Sequence, residues 1–400
     1  MQSKTARYAM FGSLYFSQGT VFSYFTSLNA LYFLSKGLSM GDVGVFGAIA
    51  LIPFVIKIFL GLLSDRVNLF GLGHRKPYIL LGLLVQASCL FIAPFIDPAA
   101  NYWGFVILAF LLQLGMALYD TCTDGLALDT TPVKEQGTIQ GFMVGGRAAG
   151  VVITASLLGV LAQQVSWLAV FWMLAALTLI PIPLVLSVKE GEKDISEEFS
   201  WAAFSTFKQG PIIALAAAGF LFFMVIAGAN QNVNPFLEDQ FGISLQKAGL
   251  YTTVWGAGVV LGGVLGGRLI DRIGQRNGTM IALFFSFISV LALAIITGAG
   301  FAWVIVAVFG LSYGTYQTVY FALAMYYTEK SIAASMYSIF MAVTNIGQGV
   351  GFALAGGLAD IPAVGFRWAF VILAFFNLAA LPLLPAVFRQ KVSLDPADEG

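Results

Sequence analysis

The chain has 400 residues, of which 59% are hydrophobic and 10% charged, and its mean hydropathy is +0.87. That leaves too little polar surface to cover a water-soluble globule of this size, so most of its solvent is lipid. Lys and Arg together number 20, as do Asp and Glu, and this balance argues against nucleic acid or a strongly charged surface as partner.

Runs of roughly 20 mainly apolar residues can cross a hydrocarbon core of about 30 Å. In chain order the sequence predicts twelve such spans, over 8–34, 42–64, 77–96, 102–127, 138–162, 166–187, 210–234, 246–270, 278–298, 302–327, 332–358 and 366–388. The first follows a short basic start, but it is too long for a signal peptide and has no small-residue cleavage site, so it is read as a span. The polar stretch 189–209, containing KEGEKDISEEF, separates an N-terminal bundle (1–188) from a C-terminal bundle (210–400), six spans each. If both termini are cytoplasmic, fifteen of the twenty Lys and Arg fall in inside segments, and only Lys36, Lys247 and Arg367 fall outside, which sets the orientation. Cys89 and Cys122 lie in apolar runs and read as packing residues, not as a disulfide or metal framework.

An internal repeat follows the second and eighth spans. The chain reads Gly61-Leu62-Leu63-Ser64-Asp65-Arg66 in the first copy and Gly267-Arg268-Leu269-Ile270-Asp271-Arg272 in the second, each followed by a glycine and basic residues. Gly61 and Gly267 are expected to allow close helix approach. Asp65 and Asp271, beside Arg66 and Arg272, are expected to bind a neighbouring helix N-terminus or a basic residue and so gate one side. The plainer reading is that these charges only fix topology.

Four charges lie well inside spans, away from their ends: Lys57, Asp120, Asp124 and Arg147. A charge in the bilayer costs about 2.5–3.5 kcal/mol even on a lenient scale, so all four are expected to face protein or a wet cavity. At about 1.5 Å per residue they reach one level in the cytoplasmic half, roughly 7–13 Å in. Asp120 and Asp124, four apart, share a helix face. In the functional reading Lys57 and Arg147 orient an anionic substrate, while Asp120 or Asp124 exchanges a proton. In the bland one the four form a fixed ion-pair network. The single histidine, His74, sits in a basic loop, leaving any proton site to a carboxylate.

Gln18 falls near mid-membrane on a stripe with Tyr15, Phe22 and Asn29. Tyr313, Tyr316, Gln317 and Tyr320 fall on one face of the tenth span, and Asn345 and Gln348 on one face of the eleventh. Both sets are expected to wall a substrate site opposite the charges, although helix-to-helix hydrogen bonding explains any single one equally well. Asn230, Gln231, Asn232 and Asn234 crowd the end of the seventh span before Pro235, as an outer gate or broken helix tip would.

The duplicated Gly-x-x-x-Asp-Arg turn resembles the signature of the major facilitator superfamily. Ile52-Pro53-Phe54-Val55-Ile56-Lys57 leading to Asp65, then His74-Arg75-Lys76-Pro77-Tyr78, is similar to the folate-biopterin transporter family and to the muropeptide permease and acetyl-CoA transporter group. The Asp120 and Asp124 pair is similar to both, and Gly145-Gly146-Arg147-Ala148-Ala149-Gly150 to the second. The resemblance implies an all-α fold of twelve transmembrane helices in two six-helix bundles. It also implies import or export of an organic, often anionic, solute, commonly with protons.

The expected protein is therefore a monomeric secondary transporter of a bacterial inner membrane, with a small molecule, a proton and membrane lipid as partners and with no cofactor. The rivals are a non-transporting sensor or assembly factor on the same fold, and a membrane-embedded enzyme. The enzyme is disfavoured because the sequence carries no metal set, nucleophile triad or phosphate-cradling loop.

Overall fold

The computed structural model describes residues 4–71, 73–131, 135–187, 208–327 and 333–388; the side chain of Asp65 is not among those described. Most of the predicted linker, 189–207, lies outside these residues, as do Lys134, Lys330 and the C-terminal basic residues used for orientation. Helices occur at all the predicted positions, and among the described residues ten of them are long and apolar enough to cross a membrane.

The first two predicted spans are interrupted. Helix α1 (Lys4–Ser27) stops at Leu28 before α2 (Asn29–Ser35). The second span is three pieces, α3 (Met40–Ala50), α4 (Ile52–Val55) and α5 (Lys57–Arg66). Pro53, in the first turn of α4, supplies the cause of the first break: it has no N–H to give and its ring collides with the carbonyl one turn back, so the helix restarts there. Then follow α6 (Lys76–Ile92), α7 (Tyr102–Thr130), α8 (Gln136–Gln164), α9 (Trp167–Leu179) and α10 (Ile182–Leu186). The later elements are α11 (Gly210–Phe241), α12 (Leu245–Ile273), α13 (Gln275–Ala294), α14 (Ala299–Tyr326), α15 (Ala333–Asp360), α16 (Gly365–Leu378) and α17 (Leu384–Val387). Helix α11 runs through Pro235 to Phe241 and ends on left-handed Gly242, so the broken-tip reading of that segment is corrected: the helix is continuous.

Small residues decide which helices touch. A Cβ at Gly19, Gly146 or Gly150 would overlap backbone of the facing helix, which locks α1 onto α8. Gly347 and Gly351 do the same for α15 on α11, and Gly262 and Gly314 for α12 on α14.

Two further seams join the segments before residue 188 to those after 210. At Gly44 and Gly356, α3 meets α15; at Gly159 and Gly249, α8 meets α12. Both lie toward the Asp360 end of the molecule. Toward the Asp271 end, a Cβ at Gly141, Gly145 or Gly267 would meet nothing within 4 Å. The halves are thus closed at one end and parted at the other. The expected close approach at Gly267 is absent in this arrangement, where no neighbouring helix comes within 4 Å of a Cβ there, whereas Gly61 does lie close to the Thr121 methyl.

Candidate functional site

The break at Ile56 makes Lys57 the first residue of α5 and points its chain toward α7. Lys57 Nζ lies 3.4 Å from Asp120 Oδ2, and Gln18 Nε2 of α1 donates to Asp120 Oδ1 at 2.6 Å. Asp120 is only 7% exposed, so the carboxylate needs both partners. One turn further on, Asp124 accepts a hydrogen bond from the Tyr15 hydroxyl. It has no cation within ion-pair distance among the described residues.

Arg147, on α8, differs from the other three. Its guanidinium lies 5.3 Å over the Phe22 ring, it is exposed in the gap between the halves, and among the described residues it makes no hydrogen bond or ion pair. Its charge is felt at Asp124 on one side and at Tyr313 on the other. Counted from the helix ends facing the open side, Lys57, Asp120 and Arg147 lie about 14–16 Å deep and Asp124 about 9 Å. The four predicted charges therefore meet, but unequally: one closed pair, one hydroxyl-bound carboxylate and one cation with no direct ion-pair partner among the described residues.

The opposite wall is narrower than the sequence suggests. Tyr316 packs on Phe222 with centroids 3.9 Å apart, and Tyr320 on Phe223 at 5.8 Å. Both are 2% exposed, and Tyr320 occupies the space a side chain at Gly219 would need. The shared face of Tyr316 and Tyr320 is turned into α11, away from the gap, a correction that follows from the room Gly219 leaves. Tyr313, buried edge-on against Trp255 at 5.3 Å, borders the gap through Arg147, and Gln317 is half-buried at the edge of the same face. Asn345 reaches across the halves: its Nδ2 donates to the Phe54 carbonyl at 3.2 Å, just before Lys57, and Gln348 Nε2 donates to Asn345 Oδ1 at 3.2 Å.

At the parted end, Arg66, Asp271 and Arg272 are exposed and engage no helix N-terminus or ion partner among the described residues; the expectation for the Asp65 carboxylate lies outside the described side chains. At the closed end the polar residues of α11 are engaged: Asn234 Nδ2 donates to the Ser27 carbonyl at 2.9 Å and Thr252 Oγ1 at 3.0 Å. Sequence reasoning missed two groups there. Asp360 accepts the backbone N–H of Met40 and Gly41 at 2.9 and 2.5 Å, and Gln163 Oε1 accepts that of Leu245 at 3.1 Å. The usable signal was an acceptor at the last turn of a span, facing a capped helix start. Arg75, which the sequence marks only as part of the motif around Pro77, is buried on Gly125 and donates to Ser64 Oγ at 2.8 Å.

The profile described as Major Facilitator Superfamily matches residues 11–342 and 233–400. The sialic acid transporter NanX of Escherichia coli is 24% identical over 263 residues, 64% of this chain and 62% of that protein. A folate-biopterin transporter of Synechocystis is 29% identical over 191 residues, 46% of this chain and 38% of its own. The chain thus spans less than two thirds of the length of each of these relatives. The crystal structure of nucleoside transporter NupG superposes with a TM-score of 0.78 at 15% identity, covering 98% of this chain and 100% of that one.

Proposed function

The chain belongs to the major facilitator superfamily of multi-pass membrane transporters and is not an enzyme, and from that premise we propose that it carries a small organic anion across a bacterial inner membrane in exchange for, or together with, protons. Twelve spans form bundles 1–188 and 210–400 that rock as one monomer about the 189–209 linker, with both termini cytoplasmic. In that orientation the arrangement is inward-open: the Asp360 end is the outside and the Asp271 end the cytoplasm.

The observation that carries this reading is Arg147. A guanidinium never loses its charge in a protein, and one at membrane depth that no carboxylate contacts directly, with Asp124 acting only from a distance, is poorly stabilised. An anionic ligand supplies the direct ion partner that Arg147 lacks among the described residues, and the planar fork suits a carboxylate. Lys57, already held by Asp120, maintains the shape of the site and is not the primary receptor. Tyr313, Gln317, Asn345 and Gln348 remain as contacts from the second half. Sialic acid and folate, the solutes named for two relatives, are the first probes.

The test is uptake of labelled sialic acid and of labelled folate into proteoliposomes with an alkaline interior. Uptake of at least one is expected, with Arg147→Ala reducing it at least about tenfold, the equivalent of about 1.4 kcal/mol. Undiminished uptake by Arg147→Ala would remove the anion reading.

A further inference from the structure

The anion reading leaves open how many charges cross the membrane per cycle, and the side chains of the gap answer it. The charged groups acting on Asp124 are Asp120 from its own helix, Lys57 from α5 and Arg147 from α8; Tyr15 of α1 is its hydrogen-bond partner. Arg75, packed on the adjacent face of α7 against Gly125, is occupied by Ser64 and is not among them. Lys57 and Asp120 form a closed pair of zero net charge. Arg147 is permanently positive. Asp124 is the one member whose charge can change without stranding an ion partner, because among the described residues it has none within ion-pair distance. Its hydrogen-bond partner Tyr15 tolerates both forms: a tyrosine hydroxyl donates to a carboxylate and accepts from a carboxylic acid.

With the site empty, ionised Asp124 balances Arg147 and the gap carries no net charge. When an anion with one negative charge docks on Arg147, neutrality requires Asp124 to take up one proton. The other combinations leave a net charge at membrane depth when the site closes over its load and loses water, which is penalised. Resting on the anion reading, we infer that the protein is an electroneutral symporter selective for monoanions, in which one monocarboxylate on Arg147 travels with one proton on Asp124. The balance closes: the proton comes from the side of entry, neutralises Asp124, and leaves with the anion, and the empty return is again neutral. Solutes with two carboxylates are disfavoured, because their second charge finds neither a free cation nor a second proton site among the described residues.

The experiment uses the full chain in proteoliposomes, with three labelled monocarboxylates (sialic acid, gluconate and benzoate) and two dicarboxylates (folate and succinate). The pH gradient and the membrane potential are imposed separately, the potential by a potassium gradient with valinomycin. Expected is accumulation of a monocarboxylate that approaches about tenfold per pH unit, as one proton per anion requires, and that a potential leaves unchanged. Asp124→Asn removes the proton site, so the residual uptake is expected to ignore the pH gradient and to respond to the potential instead.

Wild-type accumulation that follows the potential overturns electroneutrality while leaving the protein an anion transporter. So does accumulation of a dicarboxylate in preference to every monocarboxylate. Accumulation of none of the five acids overturns the anion reading and this inference with it, a result distinct from the other two.

Discussion

The carboxylate of Asp360, the last residue of α15, accepts the backbone N–H of Met40, the first residue of α3, at 2.9 Å. The second contact, to Gly41, makes this a negative charge clamped on a helix N-terminus across the two halves. Its structural counterpart, Gln163 at the end of α8 facing Leu245 at the start of α12, is neutral and makes one such bond. The Asp360 latch is therefore the stronger of the two. Asp360→Ala is expected to shift the balance toward an outer-open state by about 1–2 kcal/mol, a factor of roughly 5–30, and Gln163→Ala by less. Spin labels at Lys36 and Gly357 read this as a population of longer distances. An unchanged distribution in Asp360→Ala would show that the glycine seams alone hold this end shut.

Gly249 and Gly262 lie on the same helix, and both face backbone too near to admit a Cβ, yet they differ in what they touch. Gly262 meets Leu311 of α14 in its own half, while Gly249 meets Ala155 of α8 across the seam between halves. Alanine at Gly262 overpacks a contact present in every state and should cost about 1–3 kcal/mol of stability. Alanine at Gly249 can be relieved by opening the seam. It should leave Tm close to wild type while abolishing transport. Equal losses of Tm in both variants would contradict this division.

Lys57 and Asp120 supply a third expectation. Removing either leaves the other charge poorly compensated in a mostly dry site, and removing both does not. Lys57→Ala and Asp120→Ala should each lower Tm more than the double variant does, with a coupling energy of about 1–3 kcal/mol from the cycle. Additive losses would mean that the 3.4 Å separation carries no net interaction.

The long later helices were legible because their apolar runs are uninterrupted, and composition alone fixes a span of that kind. Span two was not, since residues 42–64 are as apolar as the rest: Pro53 signals the break before α4, and nothing in the residue types signals the second break at Ile56 that places Lys57 at a helix start. The level shared by Lys57, Asp120 and Arg147 followed from counting residues. Their partners did not, because Gln18 and Tyr15 reach α7 only once Gly19, Gly146 and Gly150 have drawn α1 onto α8. The tyrosines of α14 share a face as the spacing requires, but periodicity cannot say which neighbour a face meets. Gly219 on a different helix decides that for Tyr320. Asp360 was overlooked for a related reason: a carboxylate at the end of a span looks like ordinary interfacial charge until the facing helix start is in place.

Glu135, just before α8, ties that helix to the start of α1 through Lys4 at 2.6 Å and through Arg7. The hydrogen bond from Lys4, with the charges of Lys4 and Arg7, holds the Glu135 carboxyl below its ordinary range, and the same bond raises the Lys4 ammonium. A depressed carboxyl contributes stability that is present above the unfolded value, about 4.3, and is lost as pH falls through the folded value. The raised ammonium contributes below its unfolded value, about 10.4, and its share is lost only as pH rises through the higher folded value. Between these limits the tie is constant. Hydrogen exchange over residues 4–10, corrected for intrinsic rates, should therefore be flat from about pH 5 to 9 and lose protection only in stronger acid, where Glu135 binds a proton and releases Lys4 and Arg7. Glu135→Gln should show the unprotected behaviour across the whole range. Full protection in that variant at neutral pH would assign the tie to Arg7 and the Thr130 carbonyl, which are joined at 3.2 Å, instead of to the carboxylate.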